Sequence, residues 1–322
     1  MKIVEEFLIG HNADIIYAKR TLQSHFDDKK FRDKSFFILA FMELATNLIK
    51  HTNGGKALLL ESNEYYLLAI TDYGRGIDNV SLSLQKGYSS MENSLGLGLY
   101  QLSTNDLYDF EIFSTSEKNF HGTVILLKPK ELQENIVYFS KPYINEINNG
   151  DFFAKKGKFL LFGDAAGHSK KSRQTAMLIE KTFYALKLSC IVIDEFFKQI
   201  HQKLQEKQMR GAVCLIAEVV KNHITLCGVG DLSVWLKTDE HLLLKTLKSG
   251  IIGEVFSSVE RVQYTLQGEE FCMITTDGMQ NQRMECFKNK IMGHYSSYFI
   301  ALVMWHFATS QFDDSSIVVI KS

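Results

Sequence analysis

Residues 71–78 read TDYGRGID, at the end of an apolar run, EYYLLAIT (64–71). A carboxylate followed by two glycines around an arginine suits a tight turn between strands. It suits equally well the floor of a pocket where a flat ligand approaches the backbone. The neighbouring segments decide between them. Upstream, FFILAFMELATNLIKH (36–51) lacks glycine and proline and spaces its apolar residues at helical period. Glu43 and Asn47 are four residues apart and share a face of that helix. Taken alone they read as a solvated stripe. Set among Leu44, Ala45, Leu48 and Ile49, a carboxylate beside an amide needs a partner, and hydrated Mg²⁺ suits oxygen ligands. Downstream, SLGLGLYQL (94–102) puts Gly96 and Gly98 at a helix start, whose free N–H groups favour phosphate.

At 322 residues the chain predicts two domains. Apolar residues make up 45% and charged ones 23%, an ordinary globular balance. A formal net charge of −1 supplies no global field toward nucleic acid or membrane, so neither is an expected partner. The basic run HSKKSR (168–173) reads as a local contact or a solvated face. MKIVEEFLIG does not read as a signal peptide, and no run approaches the roughly 18 apolar residues of a spanning helix. Five cysteines, odd in number and without CxxC pairing, read as reduced thiols of a cytoplasmic protein.

Pro129 and Pro142, with the polar KELQEN between them, mark a junction that places the boundary between 1–130 and 131–322. The first part reads as an α/β layer. The 36–51 helix ends at Thr52-Asn53-Gly54-Gly55, two strands turn at Ser62-Asn63, and a hairpin, YDFEIFST/HGTVILLK, closes it. The second part reads as short β-branched strands in two sheets with flanking helices, including a long helical stretch near 172–206.

The order ELATN, DYGRGI, GLGL and HGTVILL resembles the GHKL superfamily of ATP-binding domains, over about residues 1–130. That resemblance implies a Bergerat α/β sandwich that binds ATP and Mg²⁺. It would place Mg²⁺ on Asn47, Glu43 polarising the attacking group, and Asp72 on the adenine amine. Gly74 and Gly76 would admit the base, Gly96 and Gly98 the phosphates, and Thr123 would reach the adenine. Residues 78–94 would form a lid, with Lys86 able to touch phosphate. LATNLIKHTNGG is most similar to RsbT-type switch kinases, which act on STAS-domain regulators.

In the second part, Asp151, Asp164, Asp277 and Asp314 each adjoin an apolar strand. One such aspartate is usually a turn former. Four converging would repel unless cations neutralised them, and hard divalent ions suit an all-oxygen shell. NNGDFF, GDAAGHS, TTDG and DDSSIVVI together resemble the SpoIIE-like branch of type 2C protein phosphatases, whose fold is an α-β-β-α sandwich. The resemblance implies two Mn²⁺ or Mg²⁺ ions on the four aspartates and the Ala165 carbonyl. His168 would then act as a proton donor or, alternatively, cap the following helix. CGVGDLSVW and LKSGIIG are similar to the RsbX subset.

The combined expectation is an α/β (α+β) protein joining a serine/threonine kinase to an opposing phosphatase, both acting on an anti-anti-sigma or stressosome-like STAS protein. A homodimer is left open. The alternative keeps the phosphatase and makes 1–130 a nucleotide-dependent binding module.

Overall fold

The computed structural model describes residues 1–25, 30–87, 98–143, 148–186, 192–238, 240–310 and 312–322. The chain divides into two compact units, Met1–Gln133 and Glu134–Ser322.

The first unit runs β1 (Lys2–Ile9), α1 (Asn12–Ser24), α2 (Lys34–His51), β2 (Gly55–Ser62), β3 (Tyr65–Asp72), the single turn α3 (Val80–Ser83), α4 (Gly98–Ser103), β4 (Tyr108–Glu117) and β5 (Phe120–Pro129). The strands form one antiparallel sheet in the order β1-β2-β3-β5-β4. Apolar residues of α1 and α2, such as Leu22, Phe37 and Phe41, pack on Leu59, Leu68 and Leu127 of the sheet. The predicted helix and strands are present. β1 and α1 lie in a segment the sequence reading did not assign. Asp33 caps α2 by accepting the Phe36 N–H at 3.0 Å. The glycines expected to cap its far end do so only in part: Thr52 closes the last turn, its N–H and hydroxyl both donating to Leu48 O, while Gly54 follows with φ of 98°. Asn63, at φ 51°, makes the predicted turn between β2 and β3.

The second unit contains β6 (Ile136–Lys141), β7 (Asp151–Lys156), β8 (Phe159–Ala165), α5 (Lys170–Ala185), α6 (Val192–Glu206), β9 (Ala212–Val220), β10 (His223–Val229), β11 (Ser233–Lys237), β12 (Leu242–Thr246), β13 (Glu260–Thr265), β14 (Phe271–Thr275), α7 (Asn281–Met284), a 3₁₀ turn (Glu285–Phe287), α8 (Ser297–Ala308) and β15 (Ser315–Lys321). Two five-stranded sheets result, β13-β10-β9-β8-β7 and β12-β11-β14-β15-β6. Between them Leu160, Phe162, Leu215, Leu226, Val234, Ile274 and Val318 form a continuous core. The outer face of the first sheet meets α5 and α6 through Leu161, Ile216, Ile179, Phe183 and Ile200. α8 packs on β6 and β15, completing the α-β-β-α layering. Every residue of α8 is buried, which is why its sequence, SYFIALVMWHFA, shows no amphipathic period. No helix among the described residues is long and apolar enough to cross a membrane.

Candidate active sites

In the first unit a cavity of about 270 Å³ is lined by Glu43, Asn47, Asp72, Gly76, Gly98 and Thr123, together with His51, Arg75 and neighbouring apolar side chains. Six of the predicted residues therefore meet in one pocket. Helical spacing puts Glu43 and Asn47 on the same side of α2, where Asn47 Nδ2 donates to Glu43 Oε1 at 3.3 Å. Gly98, the first residue of α4, lies directly against the Glu43 carboxylate, in a space a methyl group would fill. Asp72 ends β3 opposite Thr123 of β5 in the strand register. It is only 6% exposed, and its Oδ1 accepts the Gly74 N–H at 2.7 Å. Burial raises the Asp72 carboxyl above the usual range, opposed by hydrogen bonds from Gly74 and Thr123. Burial and the neighbouring Lys50 and Arg75 lower His51.

The glycine turn is pinned from both sides. His121 Nδ1 donates to Gly74 O at 2.8 Å, and Ser114 Oγ accepts the Ile77 N–H at 2.7 Å. Ser114 Oγ also meets Thr123 Oγ1 at 2.8 Å. Neither Gly74 nor Lys86 is among the residues that line the pocket. Gly96 and lid residues 88–94 lie outside the described residues.

In the second unit the four predicted aspartates come from both sheets. Asp151 and Asp164 are direct partners across the antiparallel β7–β8 pair. Asp277 follows β14 and Asp314 precedes β15, which are paired in the other sheet. A short network ties the two sheets together at this end. Thr276 Oγ1 donates to Asp151 Oδ2 at 3.0 Å and accepts the Ser316 N–H at 3.1 Å. Asp314 accepts the Tyr143 N–H at 2.7 Å on Oδ1 and the Gly150 N–H at 2.8 Å on Oδ2. Asn149 Oδ1 accepts the Asp151 N–H at 2.8 Å, and its amide donates to Ser140 Oγ at 2.6 Å. The Ala165 carbonyl oxygen and Asp164 Oδ1 stand 2.7 and 3.1 Å from where a Cβ on Gly150 would sit, an approach only glycine permits.

Burial and mutual repulsion dominate the electrostatics of Asp151 and Asp164. Burial first, then the Asp314 and Asp277 charges, push Asp151 up to about 8. Burial and the Asp151, Asp277, Asp313 and Asp314 charges push Asp164 up to about 9. Asp277 is raised by burial and by Asp313 and Asp231. Asp151 Oδ1 is buried and has no hydrogen-bond partner among the described residues. Among the described residues no three acidic, imidazole or thiol groups are drawn together tightly enough to hold an ion as they stand. The donor set nevertheless fits a hard dication: carboxylates on two sheets, a backbone carbonyl, and one unpartnered buried oxygen.

His168 Nδ1 is 3.3 Å from Asp313 Oδ1 and 3.4 Å from Asp314 Oδ2, at angles outside hydrogen-bond geometry. Its ring tilts over Tyr143 at 5.3 Å. The helix-capping role belongs to Ser169, whose capping box with Ser172 starts α5. Asp231 and Asp313 belong to the same electrostatic group as Asp277 and were not among the predicted residues. Asp231 carried a readable signal, a carboxylate closing CGVGD just past a strand. Asp313 was masked by its neighbour in the DD pair.

Paired five-stranded sheets between helical layers, with aspartates from both sheets gathered at one end, define the second unit as a domain of the type 2C protein phosphatase class. The chain belongs to the Stage II sporulation protein E (SpoIIE) family, which matches residues 155–321. None of the curated proteins matches it. Among solved structures, one from work on the bacterial stressosome is 17% identical, covers 58% of this chain and 98% of its own, and gives a TM-score of 0.48. RsbX in complex with magnesium is 17% identical, with 57% and 92% coverage and a TM-score of 0.48. The catalytic domain of the serine/threonine phosphatase PstP with two manganese ions is 13% identical, with 57% and 96% coverage and a TM-score of 0.47.

Proposed function

We propose that the second unit is a Mn²⁺- or Mg²⁺-dependent phosphoserine/phosphothreonine phosphatase acting on STAS-domain regulators of a partner-switching stress or sigma-factor pathway. The observation that carries this reading is the buried Asp151 Oδ1, without a hydrogen-bond partner among the described residues, in a cluster where Asp151 and Asp164 are held above the usual carboxylate range. Asp151, Asp164, Asp277, Asp314 and the Ala165 carbonyl hold the ions. Once bound, such ions lower the pKa of a coordinated water and neutralise phosphate charge. Tyr143 and Gly150 N–H groups orient Asp314. Thr276 orients Asp151. His168, at the rim beside Asp313, is the group that returns a proton to the leaving seryl or threonyl oxygen.

The first unit, over 1–130, is a GHKL domain and an ATP-dependent serine/threonine kinase opposing the phosphatase of 131–322. Its support is the pocket that joins Glu43, Asn47, Asp72 and Thr123. Glu43 draws the proton from the substrate hydroxyl, Asn47 holds Mg²⁺, and Asp72 accepts the adenine amino group. Gly76 and Gly98 leave room for base and phosphates, with Gly74 and Gly96 completing the two glycine turns. The protein works in the cytoplasm, and a homodimer fits the reading.

The test is incubation of the full chain with labelled ATP and candidate STAS proteins, with Mg²⁺ and then with Mn²⁺. Phosphorylation of the substrate followed by its release supports both halves. ATP binding without phosphotransfer leaves the first unit as a nucleotide-dependent binding module.

A further inference from the structure

The HSKKSR run contributes only His168 to the chemistry above. Ser169 fixes the start of α5, and Lys170 and Lys171 stand exposed on its first turn, directly after the short loop that carries His168 from the Asp164–Ala165 end of β8. Thr175 Oγ1 lies 3.3 Å from both Lys171 O and Arg210 O, so the backbone at 210 runs against that turn. The next residue, Gly211, accepts the Ala166 N–H at 2.9 Å. Exposed Arg210 therefore borders the same loop.

Among the described residues none of these three cations has a carboxylate within ion-pairing distance. Arg173, one turn further, is already taken by Glu180 at 3.7 Å. Glu254, the carboxylate that faces Gly211, is exposed and pairs with none of them. Three unpaired cations at the mouth of a carboxylate cluster add nothing to folding. They do give a chain of net charge −1 a local positive rim where an anionic partner arrives.

We propose that Lys170, Lys171 and Arg210 form a docking rim for acidic residues flanking the phosphorylated serine or threonine of a protein substrate. The inference rests on the phosphatase reading and deepens it. Cations on the rim attract a negatively charged segment and steer it to the centre beside them. They set which phosphoprotein is accepted and leave the hydrolytic step to the aspartates.

The test uses the full chain with Mn²⁺ and two phosphothreonine peptides of equal length, one flanked by Asp and Glu and the other by Lys. The expected kcat/KM ratio favours the acidic peptide by about tenfold, and the triple variant Lys170→Glu, Lys171→Glu, Arg210→Glu abolishes that ratio. Lys170→Arg with Lys171→Arg keeps it, which separates charge from packing. An equal ratio in wild type and reversal variant overturns the proposal. Failure of the wild type to hydrolyse p-nitrophenyl phosphate sinks the phosphatase reading instead. Fluorescence anisotropy of the acidic phosphopeptide then still decides the rim: binding lost on charge reversal supports it, and binding retained overturns it.

Discussion

One oxygen of Asp151 accepts the Thr276 hydroxyl at 3.0 Å across the two sheets, while the other, Oδ1, is buried without a hydrogen-bond partner among the described residues. A buried polar atom left without a partner destabilises a fold unless something else binds it. Here a cation is what the surrounding carboxylates favour.

Titration of this cluster should be visible in thermal stability. The folded-state values of Asp151, about 8, and Asp164, about 9, lie above the ordinary carboxylate value. The folded chain thus holds protons that the unfolded chain releases. The stability they contribute is complete below about pH 4 and is lost as pH rises through 8 to 9. Mn²⁺ competes with those protons, so the rise in melting temperature that it confers should grow from pH 6 to pH 9. A Mn²⁺ effect independent of pH would count against these aspartates as ligands.

Asp277 and Asp314 should separate chemistry from folding. Asp277→Asn removes a charge without stripping the hydrogen bonds of a strand, and is expected to abolish Mn²⁺-dependent hydrolysis of p-nitrophenyl phosphate with little change in chelated melting temperature. Asp314→Ala leaves the Tyr143 and Gly150 N–H groups without their acceptor. That variant should lose about 1–3 kcal/mol for each orphaned donor as well as activity. Calorimetry in chelator distinguishes the two.

Asp72→Asn keeps an oxygen for the Gly74 N–H but turns a donor toward the pocket. ATP affinity should fall about tenfold or more, with the chelated melting temperature nearly unchanged. Titration calorimetry measures it, and unaltered affinity would move the base elsewhere.

Gly98→Ala should displace the Glu43 carboxylate, the mobile end of a side chain, and leave the rest of the first unit folded. ATP affinity and phosphotransfer to a STAS protein are both expected to fall, the first read by titration calorimetry and the second by intact mass of the substrate. Full phosphotransfer by this variant would remove Glu43 from the chemistry.

Much of this was legible in the chain because it depends on local periodicity. Glu43 and Asn47 share a helix face by spacing alone, and Asn63 makes its turn through residue type. The two-sheet layering followed from short β-branched runs. What stayed hidden depends on tertiary environment. α8 is buried all round, so no polar stripe distinguishes it from a strand. β12 and β13 have largely exposed side chains and lack the apolar signal of the central strands. Asp231 and Asp313 acquire meaning only when folding sets them near Asp277. The loop placing Arg210 beside Lys171 joins segments far apart in sequence.

The division of the aspartates between the two sheets makes this end of the sandwich a seam. Two carboxylates ride on β7 and β8 and two at the ends of β14 and β15, while apolar packing holds the interior between. The Thr276–Asp151 hydrogen bond and the apolar core hold the layers at this end, and ions held by aspartates of both layers would add a further tie between them. A chain with such ions bound should therefore resist proteases near residues 148–151 and 312–314 better than a chelated one, a tie between layers read as protection from cleavage.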